Sequence, residues 1–413
     1  MRAVVLFDPV SSGEMLKKTA HEMGFKVIAV FTQSMESFEE IYHVSQEHLF
    51  QGCDAIIVSN DITSILEELK KRAFKIVGAI AASEGGVEAA DEIANVLGLW
   101  KNRFDLSVAR RDKGEMRKVL KSSDLSCPNF TICHSEQEAT DFAQKHLFPL
   151  IIKTPKGSAT SQVYECDDQK ALINNFHKIY GKPDIYGTIA SCCVLEEYIG
   201  GKEYIIDTFS DGHKVFVTDV WVYEKIHSDT FRNIYYNVLL VPLEDPSVKP
   251  LIDYAIRVAE IFGVERGPAH IEIKDDPVRG PTLIEIGTRF GGMRIPQFVK
   301  KYTNFDPYKA SIEVLVEGQT KIPLPLIYKK KLAIAFFPQM KGGKIEQIQG
   351  IEQIKKLSSY DTHILNVKIE DIIPPSSHVG TIPLVGFFAH SDREQLLRDL
   401  HSAHELFKIS YLR

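Results

Sequence analysis

The first hundred residues alternate short β-branched runs with amphipathic stretches, and that alternation restricts this part of the chain to one class of fold. Ala3–Phe7, Lys26–Phe31, Ala55–Ser59 and Ile76–Ala81 read as strands, and residues 14–23, 61–72 and 86–97 as helices. This is the rhythm of βαβ units, so a parallel, two-sided sheet is expected. Such sheets bind ligands beyond the carboxyl ends of their strands. Two loops fall there: Asp8-Pro9-Val10-Ser11-Ser12-Gly13 after the first strand, and Ser83-Glu84-Gly85-Gly86 after the fourth. Each can seat an anion at a helix start, and each is equally well a short Ser-capped turn.

Further along, a helix is expected from Leu106 to Lys121 under an Asp105 cap, with Arg110-Arg111-Asp112-Lys113 on its polar side and Met116, Val119 and Leu120 on its apolar side. Phe130 to Tyr198 follows a strand–helix–strand–loop–strand–helix–strand pattern, which reads as a compact lid. A period-2 hairpin over Glu203–Trp221 turns at Asp211-Gly212, and a strand at Ile234–Val241 and a helix at Pro250–Phe262 follow. A second hairpin pairs Ala269–Lys274 with Thr282–Ile286. Beyond Gly318, a helix C-cap, the run Tyr328-Lys329-Lys330-Lys331 reads as a solvated linker into strands at Leu332–Phe337, Thr362–Ile369 and Thr381–Ala389 and a helix at Arg393–Leu406. At about 150 residues per domain, 413 residues hold two to four domains. The expected division is an N-terminal α/β domain (1–110), a linker helix and lid (111–200), a central domain (201–325) and a small C-terminal α+β unit (326–413).

Charge excludes some partners. Lys and Arg number 49 against 55 Asp and Glu, a net −6, so no basic field exists to hold nucleic acid or an anionic membrane. Ala3–Phe7 is too short for a signal-peptide core, and no uncharged apolar run reaches the roughly 18 residues of a membrane helix, so a cytoplasmic location is expected. The cysteines are scattered without a C-x-x-C pair, which suggests neither a zinc site nor a disulfide framework.

The informative chemistry begins with Glu272 in Ala269-His270-Ile271-Glu272-Ile273 and Glu285 in Thr282-Leu283-Ile284-Glu285-Ile286. Side chains alternate along a strand, so each carboxylate points away from its isoleucine neighbours. If the turn pairs the strands antiparallel, the two carboxylates lie across from each other and repel unless a cation sits between them. Mg²⁺ meets that need, with Mn²⁺ as the alternative ion, because it takes one or two carboxylates plus substrate phosphates. The competing reading is a solvated hairpin face. Gly287-Thr288-Arg289-Phe290-Gly291-Gly292-Met293-Arg294 adds a guanidinium four residues after Glu285, in a glycine-containing loop that backbone or ligand can approach closely. A strand Leu150-Ile151-Ile152-Lys153 opens into Thr154-Pro155-Lys156-Gly157-Ser158-Ala159-Thr160-Ser161, a loop able to cover polyphosphate with N–H groups and hydroxyls. It is not a Walker A motif, and no G-x-G-x-x-G is present. Last, Val194-Leu195-Glu196-Glu197-Tyr198-Ile199-Gly200-Gly201-Lys202-Glu203 carries an apolar strand into a Gly-Gly bend, where backbone can read an adenine edge and Glu203 can accept both hydroxyls of a ribose.

Taken in this order the segments resemble the ATP-grasp superfamily over nearly the whole chain, and its bacterial dipeptide-forming L-amino-acid ligases in particular, the arginine-using kind among them. The resemblance implies ATP as cosubstrate, with Lys113 and Lys153 on its phosphates under the loop of Gly157 and Ser158. It implies Glu196, Tyr198 and Ile199 at adenine, Glu203 at ribose, and Glu272 and Glu285 as magnesium ligands. Many members place a metal-binding Asn two residues after the second carboxylate; here that position is Gly287. The implied reaction joins two amino acids through an acyl phosphate, releasing ADP and phosphate, with Arg289, Glu272 and Glu285 as catalytic groups. His270, Met293 and Arg294 are candidates for substrate contact, His270 being equally a packed structural histidine. Alternatives are a ligase for another acid or amine and an ATP-binding regulator without turnover. The C-terminal segment is a candidate homodimer surface, although no interface is legible in it.

Overall fold

In the computed structural model, residues 1–42, 44–157, 161–226 and 234–412 are described. They form two compact units: Met1–Asp219 with Pro246–Leu326, and Val220–Asp245 with Ile327–Arg413.

The first unit opens with a parallel sheet of Ala55–Val58, Lys26–Phe31, Arg2–Phe7 and Lys75–Ala81, in that spatial order. Its strands are apolar on both faces because helices cover both. Val4, Leu6 and Val27 pack toward Leu16, Ala20 and the helix Pro307–Glu317, while Val5, Phe7 and Ile28 pack toward Ile65, Ile93 and Ala94. Two helices that the sequence reading did not anticipate, Met35–Tyr42 and Gln46–Phe50, cover Phe31 through Phe38 and Leu49.

The helix expected from Leu106 instead begins at Lys113. Short 3₁₀ turns at Phe104–Leu106 and Val108–Arg110 precede it, and Asp112 is its N-cap, accepting the N–H groups of Gly114 and Glu115. The reason is Arg110. It is fully buried, donates from Nη2 to Asp91 (2.7 Å) and from Nη1 to the carbonyls of Arg103 and Phe262, and so pins the chain in a non-helical path.

The lid is an antiparallel sheet ordered Phe130–Cys133, Cys193–Glu197, Leu150–Lys153, Val163–Cys166, with helices Glu136–Ala143 and Gln169–Ile179 against it. The central strands are Lys202–Asp211, Arg266–Asp276 and Gly280–Gly287, antiparallel neighbours in that order. Gly318 ends the helix Pro307–Glu317 in the left-handed conformation, as its composition requires.

The second unit carries strands Ile234–Val241, Lys331–Phe336, Leu384–His390 and Tyr360–Leu365 in that order, with helix Arg393–Leu406 packed on them through Leu396, Leu400 and Ala403. A smaller sheet of Ile372–Ile373, Gly343–Gln349 and Lys408–Tyr411 completes it. All six cysteines are free, and among the described residues no helix is long and apolar enough to cross a membrane.

Asp8, at the end of the first strand, is fully buried. Burial raises its pKa from 3.8 to about 6, although Thr32 donates to its carboxylate from backbone N–H (2.8 Å) and hydroxyl (2.7 Å). The folded chain therefore holds this proton more tightly than the unfolded chain. The stability Asp8 contributes is fully present below about pH 4 and is lost as pH rises through 6, a difference on the order of 3 kcal/mol. Asp8→Asn should raise the thermal midpoint at pH 8 and change it little at pH 4. Calorimetry at the two pH values checks this, and an equal shift at both would contradict the assignment.

Candidate active site

Three strand ends and one helix start converge on a buried group of charges. Glu272 and Glu285 are register partners on adjacent antiparallel strands, so their side chains share one face. Two residues back, His270 shares that face and is the register partner both of Asp207 and of Gly287. His270 Nδ1 lies 2.6 Å from Asp207 Oδ1, and its Nε2 lies 3.5 Å from Glu272 Oε1. Burial opposes a charge on this ring, but the Asp207 carboxylate outweighs it and lifts the imidazole to about 9, so His270 is a cation between two carboxylates at neutral pH.

Glu285 is met from the other side. Lys113, the first residue of helix Lys113–Lys121, places Nζ 3.1 Å from Glu285 Oε2 and donates to the carbonyl of Gly157 at 2.7 Å. Its own backbone N–H donates to the carbonyl of Pro155, so the helix start and the candidate phosphate loop are joined at two points. Burial works to raise the Glu285 carboxyl, yet Lys113 and Arg289 together draw it down to about 2. Ser158 lies outside the described residues.

One helical turn after Lys113, Arg117 is fully buried and donates from Nε to Glu196 Oε2 at 2.8 Å and from Nη2 to Glu196 Oε1 at 3.3 Å. Lys153 Nζ reaches the same Oε1 at 2.5 Å. Burial and the adjacent guanidinium pull the Lys153 ammonium down to about 8 against the attraction of Glu196. Glu196, disfavoured by burial but flanked by Arg117 and Lys153, is held at about 2. Both its oxygens are engaged by cations, so here it is an acceptor for Arg117 and Lys153.

The remaining candidates stand around this centre. Ile199 is buried and its carbonyl accepts from Lys274 (3.0 Å), whose Nζ lies over the Tyr198 ring. Glu203, on the central strand, is the register partner of Lys274. Arg289 Nε donates to Glu84 Oε2 at 2.5 Å and its Nη1 to the carbonyl of Phe290 at 2.8 Å. Met293 and Arg294 both hold positive φ, at 56°, a strained pair for side-chain-bearing residues. The Arg294 N–H donates to Ser12 Oγ, and Gln297 Nε2 to the Ser12 carbonyl, so the first flagged loop anchors the strained one. Asp8 and Ser11 carry positive φ as well, which gathers four strained residues on the two loops that meet here.

Sequence reading missed three contributors. Arg117 sits four residues after Lys113 on one helix face, a spacing that was available as a signal. Asp207 left only the trace of a carboxylate in an apolar strand. Arg111, read as solvent-facing, is buried: it approaches Glu84 Oε1 at 3.3 Å and stacks over Tyr186 at 4.7 Å. With Lys156, Glu88, Gly85, Gln33 and Tyr186 it lines a cavity of about 450 Å³ with charged and apolar walls. Glu272 and Glu285 are hard oxygen donors of the kind Mg²⁺ takes beside water and phosphate, and among the described residues no group of three or more metal-ligating side chains forms.

Residues 146–297 match the ATP-grasp domain family. Dapdiamide A synthase of Enterobacter agglomerans is 25% identical over 72% of this chain and 69% of its own length. The L-arginine-specific L-amino acid ligase of Bacillus subtilis is 22% identical over 80% of this chain and 78% of its own. The crystal structure of an L-amino acid ligase from Bacillus licheniformis superposes with a TM-score of 0.81 at 18% identity, covering 100% of this chain and 99% of that one.

Removing one partner of a buried ion pair leaves an uncompensated charge. Glu196→Leu, which leaves Arg117 and Lys153 side by side without their shared anion, should therefore lower unfolding stability by about 3–5 kcal/mol, and adding Arg117→Met should restore part of it. Urea titration of both variants checks this; a single variant within 1 kcal/mol of the parent, on the order of a surface pair, would show the triad to be solvent-screened.

Proposed function

We infer that the bond made by this ADP-forming ATP-grasp ligase is an amide between two L-amino acids. The observation that carries the reading is the facing pair Glu272 and Glu285, with Lys113 on one of them and Arg289 held by Glu84 beside it. The similarity to an L-arginine-specific L-amino acid ligase favours amino acids as the partners joined.

Amide formation from a free carboxylate is uphill in water, so the acid needs activation. The first substrate's carboxylate oxygen attacks the γ-phosphorus of ATP and the bond to the β-phosphate oxygen breaks, giving ADP and an acyl phosphate. The second substrate's neutral amine then attacks the acyl carbon, the bond from that carbon to the phosphate oxygen breaks, and inorganic phosphate leaves with the proton that the amine nitrogen gives up. Lys153 and Lys113 hold the phosphate chain, the latter from a helix start tied to the loop that covers it. Tyr198 and Ile199 offer backbone to the adenine edge and Glu203 accepts the ribose hydroxyls. Glu272 and Glu285 would hold Mg²⁺, which supplies charge neutralisation at the phosphoryl oxygens when bound. Arg289 directs its Nη2, which has no hydrogen-bond partner among the described residues, toward the oxygens that gain charge in both steps. His270 keeps Glu272 aimed along the shared face, and Met293 and Arg294 border the acyl substrate. The cavity beside Gly85 takes the amine substrate, whose own carboxylate meets Arg111 and Lys156. The lid excludes water, because an exposed acyl phosphate hydrolyses.

The deciding experiment supplies ATP, magnesium and all pairs of proteinogenic amino acids, arginine included, and identifies products by mass spectrometry. Dipeptide with matching ADP is expected; ADP release that no amine stimulates would sink the reading. Arg289→Ala should lower turnover about 100-fold or more, as loss of an oxyanion donor does.

Lys153 adds a pH dependence. Above pH 8 its ammonium loses the proton and the phosphates lose a cation, so ADP affinity should fall with rising pH between 7 and 9.5, while Lys153→Arg should flatten the profile. Calorimetric titration reads both, and a flat profile in the parent protein would exclude Lys153 from the nucleotide.

A further inference from the structure

Position 287 is the register partner of His270 and lies two residues beyond Glu285 on the same face, so a side chain there would point into the charged centre. It is glycine, and the space its side chain would fill is already taken. A Cβ built at Gly287 would lie 2.8 Å from Glu84 Oε2 and 3.5 Å from Glu84 Cδ. Glu84 comes from the loop after the fourth strand of the N-terminal sheet, about two hundred residues away in sequence (|i−j| = 205 for its bond to Arg289). Gly287 and Glu84 are thus complementary in shape: the strand gives up a side chain where the loop delivers a carboxylate.

That carboxylate is divided between two arginines. Oε2 accepts from Arg289 Nε at 2.5 Å, and Oε1 from Arg111 Nη1 at 3.3 Å. Burial alone would favour its protonated form, but the two guanidinium groups hold its pKa below the ordinary value, so it is an anion there. With Nε on Glu84 and Nη1 on the carbonyl of Phe290, the guanidinium plane of Arg289 is fixed at two corners and Nη2 is the end left to turn toward a ligand. Through Arg111 the same carboxylate reaches the wall of the 450 Å³ cavity, where Arg111 stacks on Tyr186.

We propose that Glu84 is a positioning residue: it orients Arg289 for the charge that develops on the reacting oxygens, and Gly287 is glycine to admit it. This rests on the ligase reading for the reaction affected, while the contact between Glu84 and Arg289 can be tested without that reading.

The kinetic arm uses dipeptide formation. Glu84→Ala should lower kcat about 100-fold with the KM for ATP within about threefold, since a reacting group displaced by about 1 Å loses that much. Glu84→Gln, which keeps one acceptor oxygen, should recover part of the loss. Arg289→Ala placed on Glu84→Ala should cost less than about threefold more, because the second change removes a group already misplaced. Gly287→Ala should lower kcat in the parent protein and have little effect on Glu84→Ala, where the space is clear. Losses that multiply, or a Glu84→Ala enzyme with unaltered kcat, would overturn the proposal.

The second arm needs no turnover. In ¹⁵N-detected spectra of arginine side chains, the Nε–H signal absent from Arg289→Lys should be sharp and slow to exchange in the parent protein, and lost or fast-exchanging in Glu84→Ala. An Nε–H signal unchanged by Glu84→Ala would also overturn it. Should no amino-acid pair yield product, the ligase reading fails by itself and this arm still decides whether Glu84 orients Arg289.

Discussion

Burying a charge costs several kcal/mol, and this protein buries many around one point, so everything else in the first unit is arranged to pair them. Three carboxylates, Glu84, Glu196 and Glu285, face five cations, Arg111, Arg289, Arg117, Lys153 and Lys113. The partners come from the N-terminal sheet, the linker helix, the lid and the central strands, so none of these parts can hold its charges alone. Pairing makes the site a consequence of folding: the chain that fails to bring Glu84 to Arg289 leaves more buried guanidinium charge than the remaining carboxylates balance. The surplus of cations over carboxylates in this group also makes it complementary to a polyphosphate, which water would otherwise screen.

How far this was legible in the sequence follows from how local each signal is. Strands such as Lys26–Phe31 and Ile234–Val241 announce themselves, since nearly every residue in them is apolar and the run is bounded by turn residues. Glu272 and Glu285 stood out because a carboxylate amid isoleucines has few uses, and their spacing around one turn was enough to suggest that they face each other. The helix after residue 105 starts later than its periodicity suggests because amphipathic logic assigns charge to solvent. Arg110, Arg111, Lys113 and Arg117 are all buried, each with an anionic partner distant in sequence, Glu196 lying 79 residues from Arg117. Periodicity has no access to such partners, so it offers Asp105 as a cap where Asp112 supplies it. Glu84 left a subtler mark: its loop was flagged for anions, whereas its structural counterpart is the missing side chain at Gly287.

Backbone strain shows the same division of labour. Asp8, Ser11, Met293 and Arg294 each adopt positive φ, at a cost of order 1–3 kcal/mol apiece, and all four lie on the two loops that Ser12 ties together. A loop closing by hydrogen bonds alone would relax. These do not, because Tyr308 also donates to the Ser12 carbonyl and packs against Phe290, one residue from Arg289. The strain is therefore borne by a packed core and is local to the segments flanking Ser12 and the loop that carries Arg289.

A ligase of this kind must satisfy opposed demands, since the acid substrate needs cations to be activated and the amine needs an environment where it attacks as the free base. One polar surface cannot serve both. Here Lys113 and Lys153 are supplied by the linker helix and lid, whereas the cavity side is governed by residues 83–88, a 3₁₀ turn entering the helix Val87–Val96, whose Glu84 restrains Arg289 and Arg111 and whose Glu88 pairs with Lys156 at 2.7 Å. Lys156 belongs to the loop that follows Lys153, so one short segment after the fourth strand of the N-terminal sheet grips both the Arg289 guanidinium and that loop. On the function proposed above, an amine in the cavity beside Gly85 would bear on both grips together, which would couple activation of the acid to the presence of its acceptor.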